Sequence, residues 1–347
     1  VPELFVTNFN RNFTGVSATA AGVLGVQQAQ FDLALVGEPL PNCPDPISRK
    51  AAIAASKMPP NRRPFAIWHV RRNPEMRVAI WARDVLRRPI KIVFTSAAQR
   101  YHSVYPRWLI SRMDAVIATT PEAAKYVPHV KAVVPHGVDV KRFSAGQDRA
   151  SDWAALGYGG KFGLATVGRV RPEKGTDLFV DTMIAALPDQ PDAVALVVGR
   201  AAREHRGFEQ GLRDRVAAAG LSDRILFVGE LPPEKLPALM RGLSLLVALP
   251  RYEGYGMTPL EAMASGAPFV ASDAGYYRAF SGDGAAGIVV PQEDTRAAAT
   301  AITDLLNAPA RLAQMSATAI ARARSDYSVL REAEGIANVY EALWQHG

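Results

Sequence analysis

The sequence predicts an α/β protein of two successive doubly wound domains, each built on a parallel sheet. Three observations predict it. Short apolar runs alternate with helix-length segments from one end of the chain to the other, the pattern of βαβ units. A stretch rich in turn residues, KRFSAGQDRASDWAALGYGG at 141–160, separates two regions of that pattern. The length, 347 residues, is more than one core ordinarily serves.

In the first half the expected strands are ELFVTNF, DLALVG, FAIWHV, IKIVFTS, DAVIATT and KAVVP, with helices such as TGVSATAAGVLGVQQA and PEMRVAIWARDVL between them. In the second half they are FGLATVGR, AVALVVGR, RILFVGE, SLLVALP, PFVAS and GIVVP, with helices such as GTDLFVDTMIAAL and PPEKLPALMRG. From about 294 to 345 the chain reads as consecutive helices ending in VYEALWQ. The expected division is 1–150 for a basic N-terminal domain, 151–325 for a C-terminal domain and 326–347 for a last helix packing back on the first domain. In open α/β sheets ligands bind beyond the carboxyl ends of the strands, so the loops there hold the candidate residues.

Hydrophobic residues make up 48% and charged ones 21%, an ordinary globular balance. One cysteine, Cys43 in a Pro-rich loop, excludes an internal disulfide framework and favours a reducing compartment. No apolar run of eighteen or more residues is present to span a membrane. The net charge of +7 is unevenly spread: residues 1–150 hold 21 Lys and Arg against 10 Asp and Glu, and the remainder 19 against 23. Residues 49–112 concentrate the excess, with 15 cations against Glu75 and Asp84 alone. Such a patch attracts an anionic membrane surface, a phosphorylated acceptor or nucleic acid. Nucleic acid ranks last, because no RRM, KH, zinc-finger or arginine-rich repeat accompanies the charge.

Two motifs carry the chemistry. RYEGYGMTPLEAM at 251–263 places Glu253 and Glu261 on either side of a glycine-broken loop and a helix start. Thr258, Pro259 and Glu261 spell a capping box with proline at the first helical position. Gly254 and Gly256 let backbone approach a bound group, and the helix end gathers N–H groups suited to an anion. VGRVRPEKGTD at 167–177 follows the first strand of the second domain, with Arg169 and Lys174 bracketing a turn between Gly168 and Gly175. A planar fork beside a mobile point charge suits the oxygens of a diphosphate.

With these residues the chain resembles the retaining glycosyltransferases of the GT-B fold, specifically family four, two Rossmann-like domains facing across a cleft. The likeness rests on E-x7-E at Glu253 and Glu261, on G-R-x4-K-G at Gly168, Arg169, Lys174 and Gly175, and on VVPHGVDVKRF closing the first domain. The stretches PRYEGYGMTPLEAMASGAPFVASDAGYYRAF and VFTSAAQRYHSVYPRWLISRMDAVIATT further resemble the lipopolysaccharide-core mannosyltransferases of alphaproteobacteria. The resemblance implies GDP-mannose as donor and a lipid A-linked core saccharide as acceptor, at the cytoplasmic face of the inner membrane as a peripheral protein. It implies that Arg169 and Lys174 hold the diphosphate, Glu253 the transferred sugar and Glu261 the ribose. Backbone at Gly256, Met257 and Thr258 meets the phosphates, Val228, Gly229 and Leu231 line the base pocket, and Gly15 faces the diphosphate from the first domain. Relatives carry a histidine where IVFTSAAQ offers Ser96, so sugar or acceptor contacts are sought among His69, Ser96, His102, Arg71 and Arg72. No D-x-D element occurs, which agrees with Arg, Lys and a helix end in place of a cation, and neither metal nor other cofactor is expected. The rival readings are a UDP-sugar-dependent transferase or nucleotide-sugar epimerase of the same fold, and a non-catalytic protein binding glycolipid or nucleic acid.

Overall fold

The computed structural model describes residues 1–12 and 14–346. The chain divides into two compact units, Val1–Gly137 with Tyr327–Gly347, and Val138–Asp326.

Unit 1 holds six parallel strands: β1 (Leu4–Asn8), β2 (Leu33–Gly37), β3 (Ala66–Val70), β4 (Ile90–Ser96), β5 (Ala115–Ala118) and β6 (Val130–Val133). Their order is β2-β1-β3-β4-β5-β6, so the winding reverses between β1 and β3. β1, β3 and β5 are buried along their whole length, which is why they read as unbroken apolar runs, whereas edge strand β6 alternates. One face of the sheet is covered by the helices Gly15–Gln27 and Val329–His346, with Leu24, Ile336 and Tyr340 in that core. The last helix is also tied by polar contacts: Arg63 donates to both oxygens of Glu341 at 2.8 and 2.6 Å, and Trp344 Nε1 to the Phe65 carbonyl at 3.0 Å. Glu332 accepts from Gly137 N at 2.8 Å and faces His136 Nδ1 at 2.6 Å.

Unit 2 holds β7 (Phe162–Val167), β8 (Ala193–Val198), β9 (Ile225–Gly229), β10 (Leu243–Ala248), β11 (Phe269–Ser272) and β12 (Gly287–Val290), again all parallel. The order β12-β11-β10-β7-β8-β9 puts the reversal between β7 and β10. β8 is buried at every position and its run of Ala, Val and Leu packs into a core with Phe179, Met183 and Ile302.

All twelve strands lie where the apolar runs place them; the boundary between the units does not lie at 150. Residues 138–150 belong to unit 2, where Arg149 bonds to Ser316 Oγ at 2.8 Å and Arg142 to the Pro233 carbonyl at 2.7 Å. The turn residues of 141–160 are helix ends instead of a linker. Asp148 caps the helix Arg149–Leu156 and Gly157, at φ +76°, ends it, while its Trp153 is buried over Gly163. The segment expected as one helix at 74–86 also divides, into Asn73–Ile80 and a wider π-helical turn, Trp81–Val85.

Candidate functional site in the second unit

The reversal between β7 and β10 brings the two sequence motifs together. β7 runs into Gly168 and Arg169, then into a short 3-10 turn, Pro172–Lys174, and β10 runs into the loop carrying Glu253. Lys174 Nζ lies 2.6 Å from Glu253 Oε2, both side chains partly buried, and Glu253 Oε1 accepts from Gly254 N at 3.1 Å. Arg169 is exposed and makes no ion pair among the described residues. Gly168, Arg169, Lys174, Glu253 and Thr258 border one small cavity of about 30 Å³, with Thr176 and Tyr277 also in its wall.

Backbone geometry holds this arrangement. Gly175 has φ +65°, and a Cβ there would run into the carbonyl of Leu249, so the Lys174 turn lies directly against the end of β10. Arg251 fastens the same two segments: its guanidinium grips Asp177 at 2.9 and 2.8 Å and the Pro172 carbonyl at 2.6 Å, and its N–H donates to the Glu173 carbonyl at 3.1 Å. Burial alone would raise the Asp177 carboxyl, but the bonds and charge of Arg251 outweigh it and hold it below its ordinary value. Neither Arg251 nor Asp177 stands out in the sequence, because a bidentate pair between distant segments leaves no local pattern. Tyr277, buried against Gly256, was equally silent.

The helix after the loop corrects the expected cap. It spans Met257–Ala264, with Gly256 at the cap position at φ +95°, so Thr258 lies inside the first turn and caps nothing. A left-handed glycine against the Tyr277 ring lets the helix start straight from the loop, two residues before the proline rule places it. Glu261 is therefore not part of a capping box, and no side-chain hydrogen bond to it is present among the described residues. Burial pushes its carboxyl up to about 7, with Arg142 opposing. The folded chain then holds a proton on Glu261 that the unfolded chain has released above about pH 4.5, so this residue withdraws stability as pH rises from there through 7. Glu261→Gln is expected to be more stable than the parent at pH 8, by at most about 3 kcal/mol, and so to melt higher, with the difference closing toward pH 4.5. Ligand-free melting curves across that range check it; a difference independent of pH would refute the assignment.

Other expected positions lie elsewhere. Val228, Gly229 and Leu231 sit at the carboxyl end of β9, with β8 between them and β7, and are partly exposed. Gly15 opens its helix in unit 1 with open space where a Cβ would stand, so packing within that unit does not demand glycine. His69 is a core residue: it is fully buried, one ring nitrogen meets Tyr340 Oη, and the other lies 2.7 Å from Thr95 Oγ1. Burial, with Arg71 and His136 nearby, drives its imidazole well below the usual range, so it stays neutral and has no nitrogen left for a sugar. Arg72 is likewise committed, spanning Asn8, Thr14, Ser17 and Glu75 at 2.9–3.1 Å across the β1/β3 reversal. Arg71 Nη1, Ser96 Oγ and His102 Nε2 are buried without a hydrogen-bond partner, and Arg71 follows β3 as Ser96 ends β4. Among the described residues no cluster of His, Cys, Asp and Glu suited to a metal ion is found.

The glycosyl transferases group 1 family model matches residues 150–322. The chain is 43% identical over 345 residues to the lipopolysaccharide core biosynthesis mannosyltransferase LpsB of Rhizobium meliloti, covering 98% of this chain and 97% of that one. It is 41% identical to the lipopolysaccharide core biosynthesis mannosyltransferase LpcC of Rhizobium leguminosarum, over 98% and 96% of the two chains. Among solved structures, Anabaena HepE in complex with UDP and glucose superposes with a TM-score of 0.83 over 99% of this chain and all of that one, at 16% identity, which establishes the GT-B fold. Matched by the family model and by near-full-length relatives, this chain belongs to the group 1 glycosyl transferases.

Proposed function

We propose that the protein transfers mannose from GDP-mannose, with retention of configuration, to the lipid A-linked core of lipopolysaccharide. The observation that carries this is the near-full-length identity to the two core mannosyltransferases, together with Arg169, Lys174 and Glu253 meeting at the strand reversal of unit 2. Arg169 and Lys174 neutralise charge as the bond between the anomeric carbon and the diphosphate oxygen breaks. Lys174 leaves Glu253 for the phosphate, and Glu253 turns to the hydroxyls of the sugar. The acceptor oxygen attacks from the same face, and its proton passes to the departing phosphate oxygen, so no protein base is needed. Glu261 accepts hydrogen bonds from the ribose, and the N–H groups of the first helical turn after Gly256 meet the phosphates. These cations and the helix end supply the charge that a divalent metal supplies elsewhere.

No described helix is long and apolar enough to cross a membrane. In this reading the protein works as a peripheral protein on the cytoplasmic leaflet, where its basic first unit meets an anionic acceptor. A donor panel followed by NMR tests the chemistry: GDP release and an α-mannosyl product from GDP-mannose are expected with a defined core acceptor. Turnover of a UDP-sugar alone would overturn the donor assignment, and inversion at the anomeric carbon would overturn the mechanism.

A further inference from the structure

A groove in unit 1 runs between the helices Asn73–Ile80 and Val104–Ser111. It encloses about 730 Å³ and is lined by Val78, Trp81, Val85, Tyr105 and Trp108, with Arg49 and Arg77 at its rim. Its aromatic side chains are about half exposed: Trp81 48%, Tyr105 49% and Trp108 52%. Two local features present them. The wide turn Trp81–Val85 turns both of its end residues toward the groove, and Tyr105 and Trp108, one turn apart on the helix Val104–Ser111, lie nearly parallel with ring centres 6.3 Å apart. Trp68, in the same basic segment, is by contrast fully buried and belongs to the core.

Both acids of the basic segment are already engaged elsewhere. Of the acids in 49–112, Glu75 is buried and accepts from Thr7, Arg72 and the backbone N–H groups of Phe9, Arg71 and Arg72, and Asp84 is held by Arg83 and Arg112, both at 2.7 Å. At the rim, Arg77 makes no ion pair among the described residues, and Arg49, whose guanidinium lies 4.0 Å from the centre of the Phe9 ring, makes none either. An apolar trough with indole and phenol rings at its mouth and unpaired guanidinium groups around it matches a lipid with a negative headgroup. A second copy of the chain would bring the same cations face to face, which disfavours it.

We infer that this groove seats an acyl chain of an anionic membrane phospholipid, with Arg49 and Arg77 on its phosphate. The inference rests on the membrane placement proposed above and gives it a site, and it is tested without donor or acceptor. The full chain is mixed with vesicles of phosphatidylglycerol and phosphatidylcholine whose chains are brominated or not, and tryptophan emission is followed. Brominated chains are expected to quench emission, and Trp81→Phe with Trp108→Phe to abolish quenching while keeping vesicle affinity. Trp81→Ser with Trp108→Ser should weaken vesicle binding about tenfold or more. Arg49→Ser with Arg77→Ser should weaken it and flatten its salt dependence. Sedimentation with vesicles but no quenching would reduce the contact to surface charge and overturn the inference. So would absence of binding, equal quenching by purely neutral vesicles, or a dimer in solution that Trp81→Ser dissolves. Transfer to a deacylated core saccharide, measured separately, shows whether the enzymatic reading stands when the lipid seat does not.

Discussion

Arg169→Ala is expected to lower kcat/KM for glycosyl transfer by about 10²–10³, the effect of removing one preorganised charge from a developing oxyanion. Because Arg169 is exposed and makes no ion pair among the described residues, the melting temperature should not move. Arg169→Lys should recover only part of the loss, since an ammonium lacks the planar fork. Glu253→Gln separates binding from chemistry. In the free protein Glu253 holds Lys174 at 2.6 Å, so the carboxylate competes with a diphosphate for the same ammonium. Its removal should tighten GDP by severalfold, about 1 kcal/mol, while transfer falls. Titration calorimetry with GDP beside steady-state kinetics reads both. A kcat/KM within twofold of the parent for Arg169→Ala, or weaker GDP binding by Glu253→Gln, would remove these residues from the proposed roles.

Gly175→Ala should damage both stability and activity. Its φ of +65° alone asks about 1–2 kcal/mol of an alanine, and the added Cβ meets the Leu249 carbonyl, which cannot rotate away as a side chain would. The turn must shift, and Lys174, one residue earlier, shifts with it. Gly220 provides the control, since it has φ +68° with open space around it. Gly220→Ala should show the dihedral cost only and leave transfer unchanged. Equal effects of the two substitutions on melting and on kcat/KM would mean that the contact with Leu249 is unimportant.

The strands were legible because strands buried in parallel sheets read as uninterrupted Val, Leu, Ile and Ala between turn residues, as in AVALVV of β8. The meeting of Arg169, Lys174 and Glu253 was legible as two motifs at strand ends, one on each side of the β7/β10 reversal. What the sequence hid were features set by distant partners. Thr258-Pro259-Leu260-Glu261 satisfies every local rule for a cap, yet the helix begins earlier because Gly256 packs on Tyr277. Asp148 and Gly157 read as loop residues although they bound a helix whose Trp153 is core. His69 followed a strand pattern that shows burial on both faces but not the Tyr340 hydroxyl waiting on the last helix. Arg72 read as a possible sugar or acceptor contact, a reading that could not foresee the four polar partners that hold it within unit 1.

Unit 1 is assembled from two segments separated by all of unit 2, and this sets the order in which the chain can mature. As the polypeptide leaves the ribosome, residues 1–137 have their six strands but lack Ile336, Tyr340 and Trp344, which complete one face of the core, and Glu341, the second carboxylate on Arg63 beside Glu3. Unit 2 is contiguous from Val138 to Asp326, so all of its residues precede the last helix. The second unit is therefore able to finish folding first, and the early half waits with an open apolar face until the last helix arrives, a period in which chaperone binding and aggregation compete with closure.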